Sequence, residues 1–311
     1  MTTNTVDNPV VTNGVVTNGV ITFDRTIPQA LVDRGDPTTV LLTSWIRDGN
    51  RLTAGACWPR LGGFYSLLDP DRHDAMLVLE TGRQCALLAA HVVADIPLAT
   101  MQIMQWLTVE TMPATLPVAA RPTEVVTHVE CQRVASAGSA ILQMDLSATM
   151  HRDDVLIGRM TGRAVVPSER MYLRVRGRDP QDVGAPTLPL PAPVAPRSAG
   201  RMLSRDVVIA PDPQDRAGTY LLRIDVTHPN FFDNPTDHTP GMLLIEAMRQ
   251  AIVAESGNPV SQPAALAVRF HTFVELDSPA DVVVTRTDDG YQAEVCQFGV
   301  RTTEATWTVD G

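Results

Sequence analysis

Along most of the chain, apolar and polar positions alternate with a period of two. Twice the alternation gives way to a run of about 15 residues that is apolar on nearly every side, at 75–89 and at 241–255. TVLLTSWIRDG and LTAGACW precede the first run, and ATMQIMQWLTVE, EVVTHVECQRVA, AILQMDLSATM and VLIGRMTGRAVV follow it. TYLLRIDV (219–226) precedes the second, and AALAVRFHTFVEL, ADVVVTRT, YQAEVCQFGV and RTTEATWTV follow. Strand-like alternation in each segment predicts one long helix followed by four strands, twice over. Asp-Asp-Gly at 288–290 predicts a hairpin.

The helix ends are marked. Thr239 is the expected N-cap with Pro240 at the first helical position, and Ser256-Gly257-Asn258-Pro259 stops the helix. The first helix is expected to begin near Asp74. Apolar residues on nearly all sides make both helices buried ones, so ionisable residues inside them demand a reason. Aligned, AMLVLETGRQCALLA and GMLLIEAMRQAIVAE share Met, Leu, Glu, Arg and Gln, so that Glu80, Arg83 and Gln84 repeat as Glu246, Arg249 and Gln250. Aromatic pairs, Phe64-Tyr65 and Phe231-Phe232, stand ahead of each set. We read a duplicated α+β fold, each unit a central helix wrapped by a curved antiparallel sheet. The expected boundaries are a loose arm over 1–20, a first unit over 21–178, a proline-rich linker over 179–200 and a second unit over 201–311.

Composition narrows the function. A net charge of −10 argues against nucleic acid as a partner. No apolar run approaches the ~20 residues that span a bilayer, and the opening MTTNTVDNPVVTNG lacks the pattern of a signal peptide, so a cytoplasmic location is expected. Cys57, Cys85, Cys131 and Cys296 are too scattered for a zinc site or a disulfide framework. All 25 basic residues are Arg and none is Lys. Schiff-base chemistry and a Walker lysine are thereby excluded.

FFDNPTDHTPGMLLIEAMRQA is similar to the loop and helix of the hotdog-fold hydroxyacyl-ACP dehydratases, where Pro-Gly opens a helix bearing a Glu. The chain resembles more closely the A-factor biosynthesis hotdog family of butenolide synthases, through ACWPRLGGFYSLLDPDRHD, ETGRQCALLAAH with DIPLATM, and THPNFFDNPTDHTPGMLLIEAMRQA. The resemblance implies a double hotdog. It also implies an acyltransferase that moves a β-ketoacyl group from an acyl-carrier-protein thioester to the hydroxyl of dihydroxyacetone phosphate, the first step toward γ-butyrolactone and furan signals. No cofactor is implied beyond the carrier's phosphopantetheine. The chain would be a pseudo-dimer in itself, with further association left open. Where the dehydratases keep their catalytic His this chain has Phe232, which argues against dehydration. A dehydratase or thioesterase, or a non-catalytic acyl-binding module, remains the alternative.

That chemistry needs a base, a polarised carbonyl and a held phosphate. Glu246 is the candidate base, because burial raises its pKa while Arg249 favours the charged form a base must present; a structural ion pair is the plainer reading. Arg249 could clamp phosphate with its fork, with Gln250 beside it. The N–H groups at Gly241 could bind an oxyanion, although a tight helix entry would also use Gly there. His238, next to Asp237, is a candidate proton relay. Glu80, Arg83 and His73 could complete this site, form a second one, or serve only packing. Cys85 is a weak candidate nucleophile. An acidic carrier would need a basic patch, for which RMYLRVRGR offers Arg174, Arg176 and Arg178.

Overall fold

The computed structural model describes residues 19–61, 63–135, 141–177 and 189–309. Residues 1–18 of the expected N-terminal arm, residues 179–188 of the expected linker and Arg178 lie outside them. Each half supplies two strands, one long helix and then four more strands. The first has β1 (Leu42–Asp48), β2 (Arg51–Trp58), α1 (Met76–Val92), β3 (Ile103–Thr111), β4 (Thr123–Ala135), β5 (Ile141–Arg152) and β6 (Val155–Pro167). A short helix, α2 (Glu169–Arg176), follows. The second half has β7 (Ile209–Pro211), β8 (Thr219–Leu222), α3 (Gly241–Ser256), β9 (Pro263–Phe270), β10 (Asp281–Thr287), β11 (Gly290–Gln297) and β12 (Val300–Val309).

All twelve strands form one sheet in the order β1-β2-β4-β5-β6-β3-β9-β12-β11-β10-β8-β7, with antiparallel pairings. The order reads the same from both ends once the halves are exchanged, so a pseudo-twofold axis passes through the β3–β9 pair, where Thr108 faces Ala267. The predicted hairpin joins β10 to β11, with Thr287 opposite Gly290. At Gly290, φ is +144°, and a Cβ would strike the Trp307 carbonyl at 2.2 Å, so only glycine fits.

Both long helices lie against the inner face of the sheet in one shared apolar core. Gly82 lets α1 sit close on β6, since a Cβ there would come within 2.3 Å of the Met160 sulfur. Two boundaries differ from expectation, the start of α3 and the linker. Pro240, not Thr239, is the N-cap of α3, and Gly257 in the left-handed region ends the helix. Helix α1 starts at Met76, near Asp74 as expected, and Asp74 accepts the Met76 N–H. Residues 189–200, expected as linker, instead begin the second unit: the Val194 N–H donates to the Ile209 carbonyl, and Arg223 donates to that of Pro191. Helix α2 was not foreseen. Ser168 caps its start and Gly177 its end.

Candidate active site

Glu80 and Glu246 face the seam between the halves, and each holds the same set of partners. Glu246 accepts from Arg249 through both oxygens at 2.8 Å, from Gln250 at 2.6 Å and from Arg201 at 2.9 Å. Glu80 accepts from Arg83 at 2.9 and 3.0 Å, from Gln84 at 2.7 Å and from Arg34 at 2.6 Å. The glutamines repeat in detail. Gln84 accepts the Leu41 N–H and donates to the Thr39 carbonyl, while Gln250 accepts the Val208 N–H and donates to the Asp206 carbonyl. Each carboxylate thus pins a helix to the segment leading into the first strand of its unit.

Arg34 and Arg201 were missed in the sequence, and they tie the halves together. Arg34 donates to the Asn230 carbonyl at 3.0 Å and to Asp233 at 3.4 Å. Arg201 donates to the Phe64 carbonyl at 2.6 Å, pairs with Asp74 at 3.5 Å and lies 3.9 Å over the Phe64 ring. The loop before each helix therefore reaches the charged cluster of the other half, and Phe64 meets Phe231 edge-on between them, centroids 4.9 Å apart.

Burial alone would push both carboxyls up in pKa. The guanidiniums outweigh it and hold each at about 2: Arg201 and Arg249 for Glu246, Arg34 and Arg83 for Glu80. A carboxylate so stabilised, its oxygens engaged by charged donors, is a weak base. The expected basic role of Glu246 does not fit this arrangement. Arg249 spends Nε and Nη2 on Glu246, and its side chain is 2% exposed, so a phosphate clamp there does not fit either. Arg83 differs, with 18% of its side chain open.

His73 does not join either cluster. It is buried against Trp58 and bonded to Thr123 at 2.9 Å, and burial, with Arg152, lowers its pKa to about 4. Cys85 is buried, which pushes its thiol up to about 12 and removes it as a nucleophile. Arg176 is no docking residue, since its side chain is 1% exposed; Arg174 is exposed.

A different group stands just ahead of α3. His238 Nδ1 lies 2.7 Å from Asp237 Oδ1. Burial works against ionisation of Asp237, but hydrogen bonds from His238 and Tyr172 and the charge of Arg176 hold it well below the usual carboxylate range. An ionised carboxylate only accepts, so Nδ1 carries the proton and Nε2 of the neutral ring is the basic nitrogen. The His238 side chain is 20% exposed. The Leu243 and Leu244 N–H groups both reach the Pro240 carbonyl, so those of Gly241 and Met242 precede the intrahelical ladder and form the positive end of α3. A Cβ at Gly241 would press on the Phe270 ring at 3.2 Å, so the ring would have to give by a few tenths of an ångström. A hollow of about 560 Å³ lined by Trp106, Arg269, Gln292 and Arg301 shares no residue with these groups.

The model of the A-factor biosynthesis hotdog domain matches residues 16–168 and again 185–305. The chain belongs to the A-factor biosynthesis hotdog family. Its two matched segments are the two halves of the sheet. A family relative from Streptomyces coelicolor, 2-oxo-3-(phosphooxy)propyl 3-oxoalkanoate synthase, is 33% identical over 83% of this chain and 82% of its own. The protein of the same name from Streptomyces griseus is 34% identical over 80% and 82%. Among solved structures, an acyl-ACP thioesterase from Bacteroides thetaiotaomicron superposes with a TM-score of 0.52 at 10% identity, over 84% of this chain and 98% of that one. That likeness bears on the fold alone: the double hotdog inferred from the repeat and the resemblance is the fold of this family member. Among the described residues, no helix is long and apolar enough to cross a membrane.

Proposed function

We propose that this chain transfers a β-ketoacyl group from a carrier-protein thioester to the hydroxyl of dihydroxyacetone phosphate. The product is the phosphorylated ester named in its Streptomyces relatives, and the step begins synthesis of a butenolide-type signal. The observation that carries the reading is the Asp237–His238 pair beside the open N-terminus of α3.

His238 Nε2 takes the proton as the hydroxyl oxygen attacks the thioester carbonyl. The carbonyl oxygen becomes an oxyanion, for which the Gly241 and Met242 N–H groups and the helix dipole are suited. The C–S bond then breaks, the ester carbonyl re-forms, and the proton held on His238 passes to the leaving pantetheine sulfur. The phosphate is assigned to Arg83, whose side chain keeps contact with solvent. One loop supports the assignment: Asn230 and Asp233 meet the Glu80 cluster through Arg34, and Asp237 and His238 lie further along it. Glu246 and Arg249 then position α3 and take no part in proton transfer. An acidic carrier would be met by Arg170 and Arg174 on the exposed side of α2.

The test is a mass spectrum of the product from β-ketoacyl-carrier protein, with and without dihydroxyacetone phosphate. An ester mass that needs both substrates is expected. Release of free acid at the same rate without the acceptor would mean a thioesterase.

A further inference from the structure

Helix α2 follows the last strand of the first half, yet its buried side chains serve the second. Tyr172 and Arg176 are four residues apart and so share one face of the helix. Tyr172 Oη donates to Asp237 Oδ1 at 2.7 Å, the same oxygen that faces His238 Nδ1. Arg176 donates through Nε to Asp237 Oδ2 at 3.0 Å and through Nη2 to the Asp237 carbonyl at 3.0 Å. The same guanidinium is bound by both oxygens of Glu275, at 2.8 and 2.9 Å. Phe273 forms the floor. The guanidinium lies 4.7 Å from its ring, and His238 and Tyr172 meet it edge-on.

Among the described residues, the ionisable groups gathered around His238 are Tyr172 and Arg176 from α2, Asp237 from its own loop, and Glu275 from the segment after β9. Within this set one guanidinium faces two carboxylates, so the set is negative until His238 accepts a proton. The imidazolium formed as a hydroxyl is deprotonated would neutralise it. Arg176 and His238 also compete for one carboxylate, which keeps Asp237 from holding the imidazolium too strongly. A base must release its proton to the leaving sulfur, so that restraint matters for turnover.

We propose that Arg176 and Tyr172 are positioning residues that act on His238 through Asp237, with Glu275 setting how much of the Arg176 charge reaches that carboxylate. The proposal rests on reading His238 as the base, and its readout is chosen to be separable from that reading. Histidine-labelled full-length protein is titrated by NMR, with the His238 signal identified by its loss in His238→Gln. Arg176→Gln should raise the His238 midpoint by about one pH unit. Tyr172→Phe should raise it by a smaller amount, Glu275→Gln should lower it, and Arg176→Lys should restore most of the shift.

A packing role alone gives no reason for opposite signs. Shifts of the same sign in Arg176→Gln and Glu275→Gln, or no shift in folded variants, would overturn the proposal. Should Arg176→Gln fail to fold, Tyr172→Phe and Glu275→Gln decide by the same signs. If the midpoints move as expected while His238→Gln still forms ester at the normal rate, the hold of α2 on His238 stands and the base assignment falls. If His238→Gln is inactive but no midpoint moves, the function stands and this inference falls.

Discussion

The Glu80 and Glu246 clusters contain the same residue types, two Arg, one Gln and a second acid from the opposite half, yet they are not equally closed. Arg201 and Arg249 are almost wholly buried, and Phe64 caps the former with its ring. In the other cluster Arg83 reaches solvent, and the loop supplying Asp233 also bears His238. Duplication thus supplied one device for fastening a helix to its sheet, and this chain keeps one copy sealed while the other retains an accessible cation. The difference teaches that an ionised Glu inside an apolar helix is explained first by anchoring. Chemistry enters only where one member of the cluster stays reachable.

The largest effects should come from the sealed copy. Glu246→Ala or Arg201→Ala strands buried charge and should cost about 3–5 kcal/mol of stability, read by urea denaturation. Arg83→Ala removes a partly open side chain and leaves Glu80 still paired with Arg34, so it should cost less, roughly 1–3 kcal/mol. Equal losses would erase the distinction drawn between the clusters.

Activity should divide the other way. His238→Gln should slow ester formation by roughly a hundred- to ten-thousand-fold with the melting temperature nearly unchanged; a wild-type rate would remove the base. Arg83→Ala should raise KM for dihydroxyacetone phosphate by roughly ten- to a hundred-fold, as expected for a lost charge-assisted hydrogen bond. Its KM for the acyl donor should hardly change. An unchanged acceptor KM would place the phosphate elsewhere.

Acid stability gives the smallest and most graded contrast. His73 has a folded pKa of about 4 against 6.5. Its contribution is therefore complete above 6.5 and is lost as pH falls toward 4, by roughly 1–3 kcal/mol. Glu80 and Glu246, at about 2 against 4.5, contribute above 4.5 and lose that contribution as pH falls toward 2. Stability measured against pH should descend in two stages, and His73→Phe should flatten only the upper one.

The duplicated helix and its four following strands could be read from periodicity and from the repeated Glu-x-x-Arg-Gln, because burial on one face of a strand or all round a helix leaves a direct trace in composition. The partners of those residues could not be read so easily. Arg34 and Arg201 stand far from the helices in sequence, and only the fold brings them to Glu80 and Glu246. A faint signal existed: in each half an Arg precedes by six positions a Val followed by an aliphatic residue, Arg34 before Val40-Leu41 and Arg201 before Val207-Val208. Arg176 shows the opposite failure. In a run of arginines it is indistinguishable from Arg174, and helix phase alone decides that one is buried beneath the dyad while the other faces water.

The seam between β3 and β9 carries a kinetic consequence. Within each half, neighbouring strands such as β5–β6 and β11–β12 pair over short loops, whereas Trp106 must find Arg269 across half the chain. Loop closure of that span delays its contacts. Each half should therefore collapse early in refolding. The crossing ion pairs of Arg34 and Arg201 should form late, in a phase whose rate responds to ionic strength.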